Sequence, residues 1–214
     1  MFSAAPVTLT LIGVNVLVYI CQFLFPNLIE SLYYANVGSN TEWGSWQRVF
    51  TSGFAHSEAQ ITHILFNMYS LFVLGTLLEP MIGKWRFLTL YFFSIFGGGL
   101  GYLLLSSEFG YVVGASGAVF GLMGAYLVFL VVTKTNASQM YIIIGLNLFL
   151  SFLPGIAWEA HVGGLIVGAA VGYLLISTKD KAKQNIQLIG LVGIAIALVA
   201  IWVIGNAPIN VLNG

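Results

Sequence analysis

Seven apolar segments, at approximately residues 7–25, 61–79, 85–105, 114–133, 139–153, 158–177 and 186–205, divide this chain of 214 residues, each bounded by turn or charged residues. Crossing the hydrocarbon of a bilayer takes about 20 apolar residues in a helix that rises about 1.5 Å per residue. Lipid offers no partner to an exposed backbone amide, so segments of this kind must span as helices or as a closed barrel. Composition agrees. Hydrophobic residues make up 59% of the chain and charged residues 7%, against roughly 25% charged in a soluble domain. The expected fold is an all-α polytopic membrane protein, with membrane lipid as its main solvent and partner.

The same composition excludes other classes. Net charge is zero, from seven basic and seven acidic residues, and no basic run is available to hold nucleic acid. The single cysteine, Cys21, lies inside the first apolar segment; it cannot close an intrachain disulfide and lacks the companions of a soft-metal site. No metal and no other cofactor is expected. The first segment does not read as a cleavable signal, because no basic residue precedes it and no small-residue cleavage site follows before Pro26-Asn27.

Charge also sets an orientation. With the N-terminus in the cytoplasm, Lys84, Arg86, Lys134, Lys179, Lys181 and Lys183 fall in cytoplasmic loops and only Arg48 falls outside, as the positive-inside rule expects. The one long connection, residues 26–60, is then extracytoplasmic. Its aromatic residues Tyr33, Tyr34, Trp43, Trp46, Phe50 and Phe54 suit the outer membrane interface. The tail Asn206–Gly214 is uncharged and reads as a frayed end.

In so apolar a chain the informative residues are the polar ones within spans, where they are costly unless paired or functional. His63 and Asn67 lie in the second segment, Ser116 in the fourth and His161 in the sixth. Even-numbered spans all begin at the outer face in this topology, and His63, Ser116 and His161 each sit three or four residues in, so all three share a depth. His63 and Asn67 are four apart and share one helix face. The glycines of the fourth segment (Gly117, Gly121, Gly124) and of the sixth (Gly164, Gly168, Gly172) allow two membrane helices to pack backbone to backbone. That packing would bring Ser116 to His161. A serine beside a histidine base is a nucleophile in waiting, and a helix start supplies backbone N–H groups for an oxyanion. With no aspartate in any span, the arrangement is a dyad rather than a triad.

These residues resemble a known family. The run Gly114-Ala115-Ser116-Gly117, followed by Ala-Val-Phe-Gly-Leu-Met-Gly, is similar to the nucleophile motif of the rhomboid intramembrane serine proteases. His63-Ile-Leu-Phe-Asn67-Met and Ala160-His161-Val-Gly-Gly164 resemble that family's motifs in spans two and six. The resemblance covers approximately residues 7–177 and implies a six-helix rhomboid-like bundle with a seventh transmembrane helix added at the C-terminal side. The domain division is then 1–177 for the protease core and 178–214 for a basic linker, the extra helix and the tail.

Taken over motif by motif, the resemblance makes Ser116 the nucleophile and His161 the base. His63, Asn67 and the backbone N–H groups of Ser116 and Ala115 become oxyanion donors, while Glu79 and His56 occupy structural positions. Two departures stand out: Trp46-Gln47-Arg48 carries Gln where the family usually has Trp, and Phe120 stands where some members have Tyr. The implied activity is cleavage of single-span membrane proteins near the outer end of their helix, with span five and the loop Pro154–Glu159 as a lateral gate. The implied location is a bacterial inner membrane, with the site opening to the extracytoplasmic side. A non-proteolytic rhomboid-like client-binding protein typically lacks the Ser or the His, and both are present here. A transporter would show internal repeats or rings of charge, and neither is apparent.

Overall fold

The computed structural model describes residues 5–25, 27–35, 45–106 and 110–205; Trp43 and the tail Asn206–Gly214 lie outside them. Among the described residues, helix α1 runs Pro6–Leu24 and is followed by the short helix α2, Leu28–Leu32, strand β1, Tyr34–Ala35, and helix α3, Trp46–Thr51. Helices α4, Ile61–Ile82, and α5, Lys84–Leu105, lead to strand β2, Tyr111–Val112. Helices α6, Ser116–Val132, α7, Ser138–Ser151, and α8, Trp158–Ser177, come next. A 3₁₀ turn at Lys181–Lys183 then leads into α9, Gln184–Gly205. The seven apolar segments are the seven long helices.

Five of these helices are long and apolar enough to cross a membrane; α6 and α7, at 17 and 14 residues, are shorter. Each has a local reason. Gly114 has φ of +120°, outside the helical region, so α6 begins at Ser116 rather than at Gly114 as its apolar segment suggested. Helix α7 ends just before Pro154-Gly155, where the proline disfavours helical geometry in its predecessor and Gly155 turns with φ of +82°.

Helix α5 is the axis of the bundle. Every residue from Ser94 to Leu103 is buried, the signature of a helix covered on all sides. It packs against α6 and α8, and these three meet through glycine. A Cβ added at Gly98 would lie 3.1 Å from the Cα of Gly117 and 3.2 Å from the carbonyl oxygen of Ala160. Further along, Gly164 and Gly168 of α8 sit directly on the backbone of Gly117 and Gly121 of α6. Without side chains between them, the backbones gain close van der Waals contact, the main attraction between helices when lipid is the alternative solvent.

Helix α1 turns Thr8, Asn15 and Gln22 inward. Thr8, Leu11, Asn15, Tyr19 and Gln22 are its buried positions, spaced at steps of three or four, which is one stripe of the helix. The Glu79 carboxylate, at the far end of α4, accepts from the N–H of Val7 at 3.0 Å, the N–H of Thr8 at 2.8 Å and the Thr8 hydroxyl at 2.8 Å. An anion on the unsatisfied donors of a helix start complements both their hydrogen bonds and the helix dipole. This places Glu79 in a structural role.

The loop after α1 is fastened at several points. Arg48 donates to the carbonyl oxygens of Glu30 at 2.6 Å and Tyr33 at 3.4 Å, and its guanidinium lies 5.9 Å from the centroid of the Tyr33 ring. Strands β1 and β2 pair antiparallel, Tyr34 with Val112 and Ala35 with Tyr111, which ties the loop to the lead-in of α6. Helix α9 is joined at its start: Gln187 donates to the Thr178 hydroxyl at 2.8 Å and accepts from Arg86 at 2.9 Å.

Candidate active site

Ser116 is the first residue of α6, preceded by Ala115 at the N-cap. The first N–H groups of a helix have no carbonyl one turn back, so those of the first turn, starting at Ser116, point out of the helix beside the hydroxyl. Gly114 makes this entry possible in two ways. Its φ of +120° favours glycine, and a Cβ there would approach His63 Nε2 to 2.6 Å. Its N–H donates to the Ser52 carbonyl at 2.9 Å, which anchors the lead-in to the turn after α3.

His63, in the first turn of α4, is held from the other side. The backbone N–H of Ser57 donates to His63 Nδ1 at 3.3 Å. An imidazole nitrogen that accepts is unprotonated, so the proton of neutral His63 is on Nε2. That atom is the one closest to Gly114, and the same added Cβ would lie 3.8 Å from Ser116 Oγ. His63 thus presents an N–H donor beside the serine. Asn67, one turn further along the same face, is buried and donates to the His63 carbonyl at 2.8 Å, which leaves the second N–H of its amide available.

His161, in the first turn of α8, is buried at 8% exposure. Its ring stacks on that of Phe120 at 4.2 Å between centroids and 12° between planes. Phe120 lies four residues after Ser116 and therefore on the same face of α6. The stack places the imidazole over the face that Ser116 heads. No hydrogen bond joins Ser116 to His161 in this arrangement; such pairs commonly tighten only once substrate is bound. Phe120 fills its place without a hydroxyl, and stacking needs none.

Two neighbours complete the site. A cavity of about 20 Å³ beside Ser116, lined also by Ser52, Gly114, Gly98 and Ala160, is large enough for about one water molecule. His56, fully buried in the turn before α4, has its backbone bracketed by the Gln22 amide, which donates to its carbonyl at 2.7 Å and accepts from its N–H at 3.0 Å. Burial, helped by the adjacent His63, lowers the His56 pKa to about 4, so the ring is neutral near pH 7. Its centroid is 5.2 Å from that of His63, a packing position.

The residues singled out in the sequence, Ser116, His161, His63, Asn67 and Ala115, thus gather where α4, α6 and α8 begin. Ser116 is two residues nearer the helix end than its apolar segment suggested. Sequence reasoning missed Ser151, the last residue of α7, whose hydroxyl lies 2.6 Å from His161 Nδ1. Its only signal was a hydroxyl in an apolar stretch. Among the described residues, no group of three or more His, Cys, Asp or Glu side chains is placed to hold a metal ion.

Comparison with known proteins agrees with these motifs. The rhomboid domain model matches residues 43–178. The chain is 31% identical over 223 residues to the protein named rhomboid protease AarA of Providencia stuartii, covering 85% of this chain and 77% of that protein. RHOMBOID-like protein 6, mitochondrial, of Arabidopsis thaliana is 35% identical over 71% of this chain and 49% of its own length. RHOMBOID-like protein 1 of the same plant is 39% identical over 60% of this chain and 34% of its own length. The motifs, the all-helical bundle of apolar helices and these matches agree: the chain belongs to the rhomboid family of intramembrane serine proteases.

Proposed function

We propose that the chain cleaves the transmembrane segments of single-span membrane proteins, with Ser116 as nucleophile and His161 as general base. The observation that carries this reading is the Phe120–His161 stack, which sets a buried imidazole over the face of α6 headed by Ser116. His161 Nε2 takes the proton of the Ser116 hydroxyl as its oxygen attacks the scissile carbonyl. The developing oxyanion is met by the Nε2–H of His63, the Asn67 amide and the backbone N–H groups of Ser116 and Ala115. Donors already aimed where charge appears need no reorganisation during the reaction. His161 then returns the proton to the leaving amine, and a water, activated by the same base, releases the acyl-enzyme.

Helix α7 supports a lateral entrance. It buries only Met140, Ile144 and Ser151, and Phe149, Phe152 and Leu153 at its end are largely exposed. Helix α7 and the segment Pro154–Glu159, whose last two residues open α8, move aside to admit the substrate helix. The catalytic core is residues 1–177, and residues 178–214 add a basic linker, α9 and a tail. The charge bias supports an N-terminus in the cytoplasm and a site open to the extracytoplasmic side; the membrane we assign is a bacterial inner membrane. The test is co-expression with a panel of tagged single-span proteins, comparing wild type with Ser116→Ala. At least one substrate is cut by the wild type alone; a variant that cuts equally well refutes the reading.

A further inference from the structure

The hydrogen bonds around His161 define more than its position. Ser151 Oγ lies 2.7 Å from the Asn147 carbonyl oxygen and 2.6 Å from His161 Nδ1. A carbonyl can only accept, so the single hydroxyl hydrogen is committed to Asn147. Toward His161 the serine oxygen therefore presents a lone pair, and Nδ1 must carry a hydrogen to meet it. A neutral imidazole holds one hydrogen, so Nε2 is left bare. That is the nitrogen a general base needs.

We propose that Ser151 is a positioning residue for His161, holding the imidazole in the Nδ1–H tautomer and fixing its rotation about the side-chain axis. The Phe120 stack fixes the plane of the ring; Ser151 fixes which of the two orientations related by a half-turn in that plane is adopted, the one that faces Nδ1 toward its hydroxyl. Both partners are buried, Ser151 at 2% and His161 at 8% exposure, so water does not compete for Nδ1. In serine proteases that use a triad a carboxylate holds this position; among the described residues no carboxylate hydrogen-bonds to His161, and a hydroxyl on the last turn of α7 does so instead. Because Ser151 belongs to α7, the tautomer is enforced only while the end of that helix is seated against α8, so α7 must return to its seat after admitting the substrate and before the chemical step. A hydroxyl in a helix that bonds only the carbonyl four residues back has no bearing on a neighbouring imidazole, and this alternative is what the experiment separates.

The inference rests on the proposed role of His161 as base, and the controls keep the two apart. Turnover of one transmembrane peptide substrate is measured in detergent for wild type, Ser151→Ala, Ser151→Thr and Ser116→Ala, with thermal melting of each. Ser151→Ala is expected to lower kcat by about 10–100-fold with KM little changed, part of the contribution a positioned base makes. Ser151→Thr, which keeps the hydroxyl, restores most of the rate, and melting differs little across the set. Wild-type kcat in Ser151→Ala, or equal losses in the Ala and Thr variants alongside lowered melting, overturns the inference. Should Ser151→Ala fail to fold, ¹⁵N NMR of histidine-labelled wild type decides: His161 protonated on Nδ1 supports the inference, and protonation on Nε2 overturns it. Cleavage by Ser116→Ala brings down the underlying dyad; an inactive Ser116→Ala beside a fully active Ser151→Ala brings down this inference alone.

Discussion

Helices α5 and α9 are each 22 residues long and differ in almost everything else. Helix α5 is buried without a break from Ser94 to Leu103, and that stretch is built from Gly97, Gly98, Gly99 and Gly101 with Ser94 and Tyr102 among them. Helix α9 is more uniformly aliphatic, yet Gln187 and Leu198 are its only buried residues. In water the greasier helix would be the inner one. In lipid the order reverses, because hydrocarbon solvates Leu and Ile as well as the protein interior does and small residues gain most from close approach. Small and polar residues therefore mark the centre, and the candidate catalytic groups sit at the end of that glycine-packed centre. Helix α1 repeats the lesson by burying Thr8, Asn15 and Gln22.

The contrast is open to direct attack. Gly168→Leu should be the most damaging change, since its side chain would occupy the backbone of Gly121. Overpacking of this kind costs about 3 kcal/mol or more, read as loss of folded protein in detergent. Gly193→Leu on α9, where an added Cβ meets nothing within 4 Å, should leave melting unchanged. Equal damage from the two would dissolve the distinction between centre and rim. Asn67→Ala tests whether the centre is also where chemistry happens: removing one of several oxyanion donors should lower kcat by about 10²-fold with melting nearly intact. A fall in melting that accounts for the lost activity would assign Asn67 to structure. The smallest effect is expected from Glu79→Gln, which removes the charge at the start of α1 and turns one of the two accepting oxygens into an NH2 donor. A loss of about 1–2 kcal/mol in stability with kcat unchanged would separate this buried carboxylate from the chemistry.

Much of this was legible because lipid makes polar residues conspicuous. His63, Ser116 and His161 stood out as groups that hydrocarbon does not tolerate idly, and the glycine spacing brought two of their helices together. The start of α6 was off because an apolar run does not report backbone angles; Gly114 is apolar in composition but breaks the helix with its positive φ. Strands β1 and β2 are two residues each, too short for any alternation to register. Ser151 was invisible for a different reason. A serine in a membrane helix is satisfied by its own backbone, and only the folded chain reveals that its hydroxyl oxygen also meets His161 Nδ1. The joint between Arg86, Gln187 and Thr178 was likewise unreadable, since its members are far apart in sequence.

The central claim is that Ser116 is a nucleophile activated by His161. Labelling with a serine-directed fluorophosphonate tests it without a known substrate. The account predicts that one phosphonyl group is incorporated at Ser116 in the wild type, as identified by peptide mass. Ser116→Ala is predicted to incorporate none, and His161→Ala to label far more slowly although it folds. Labelling of His161→Ala at the wild-type rate, or of Ser116→Ala at all, would contradict it.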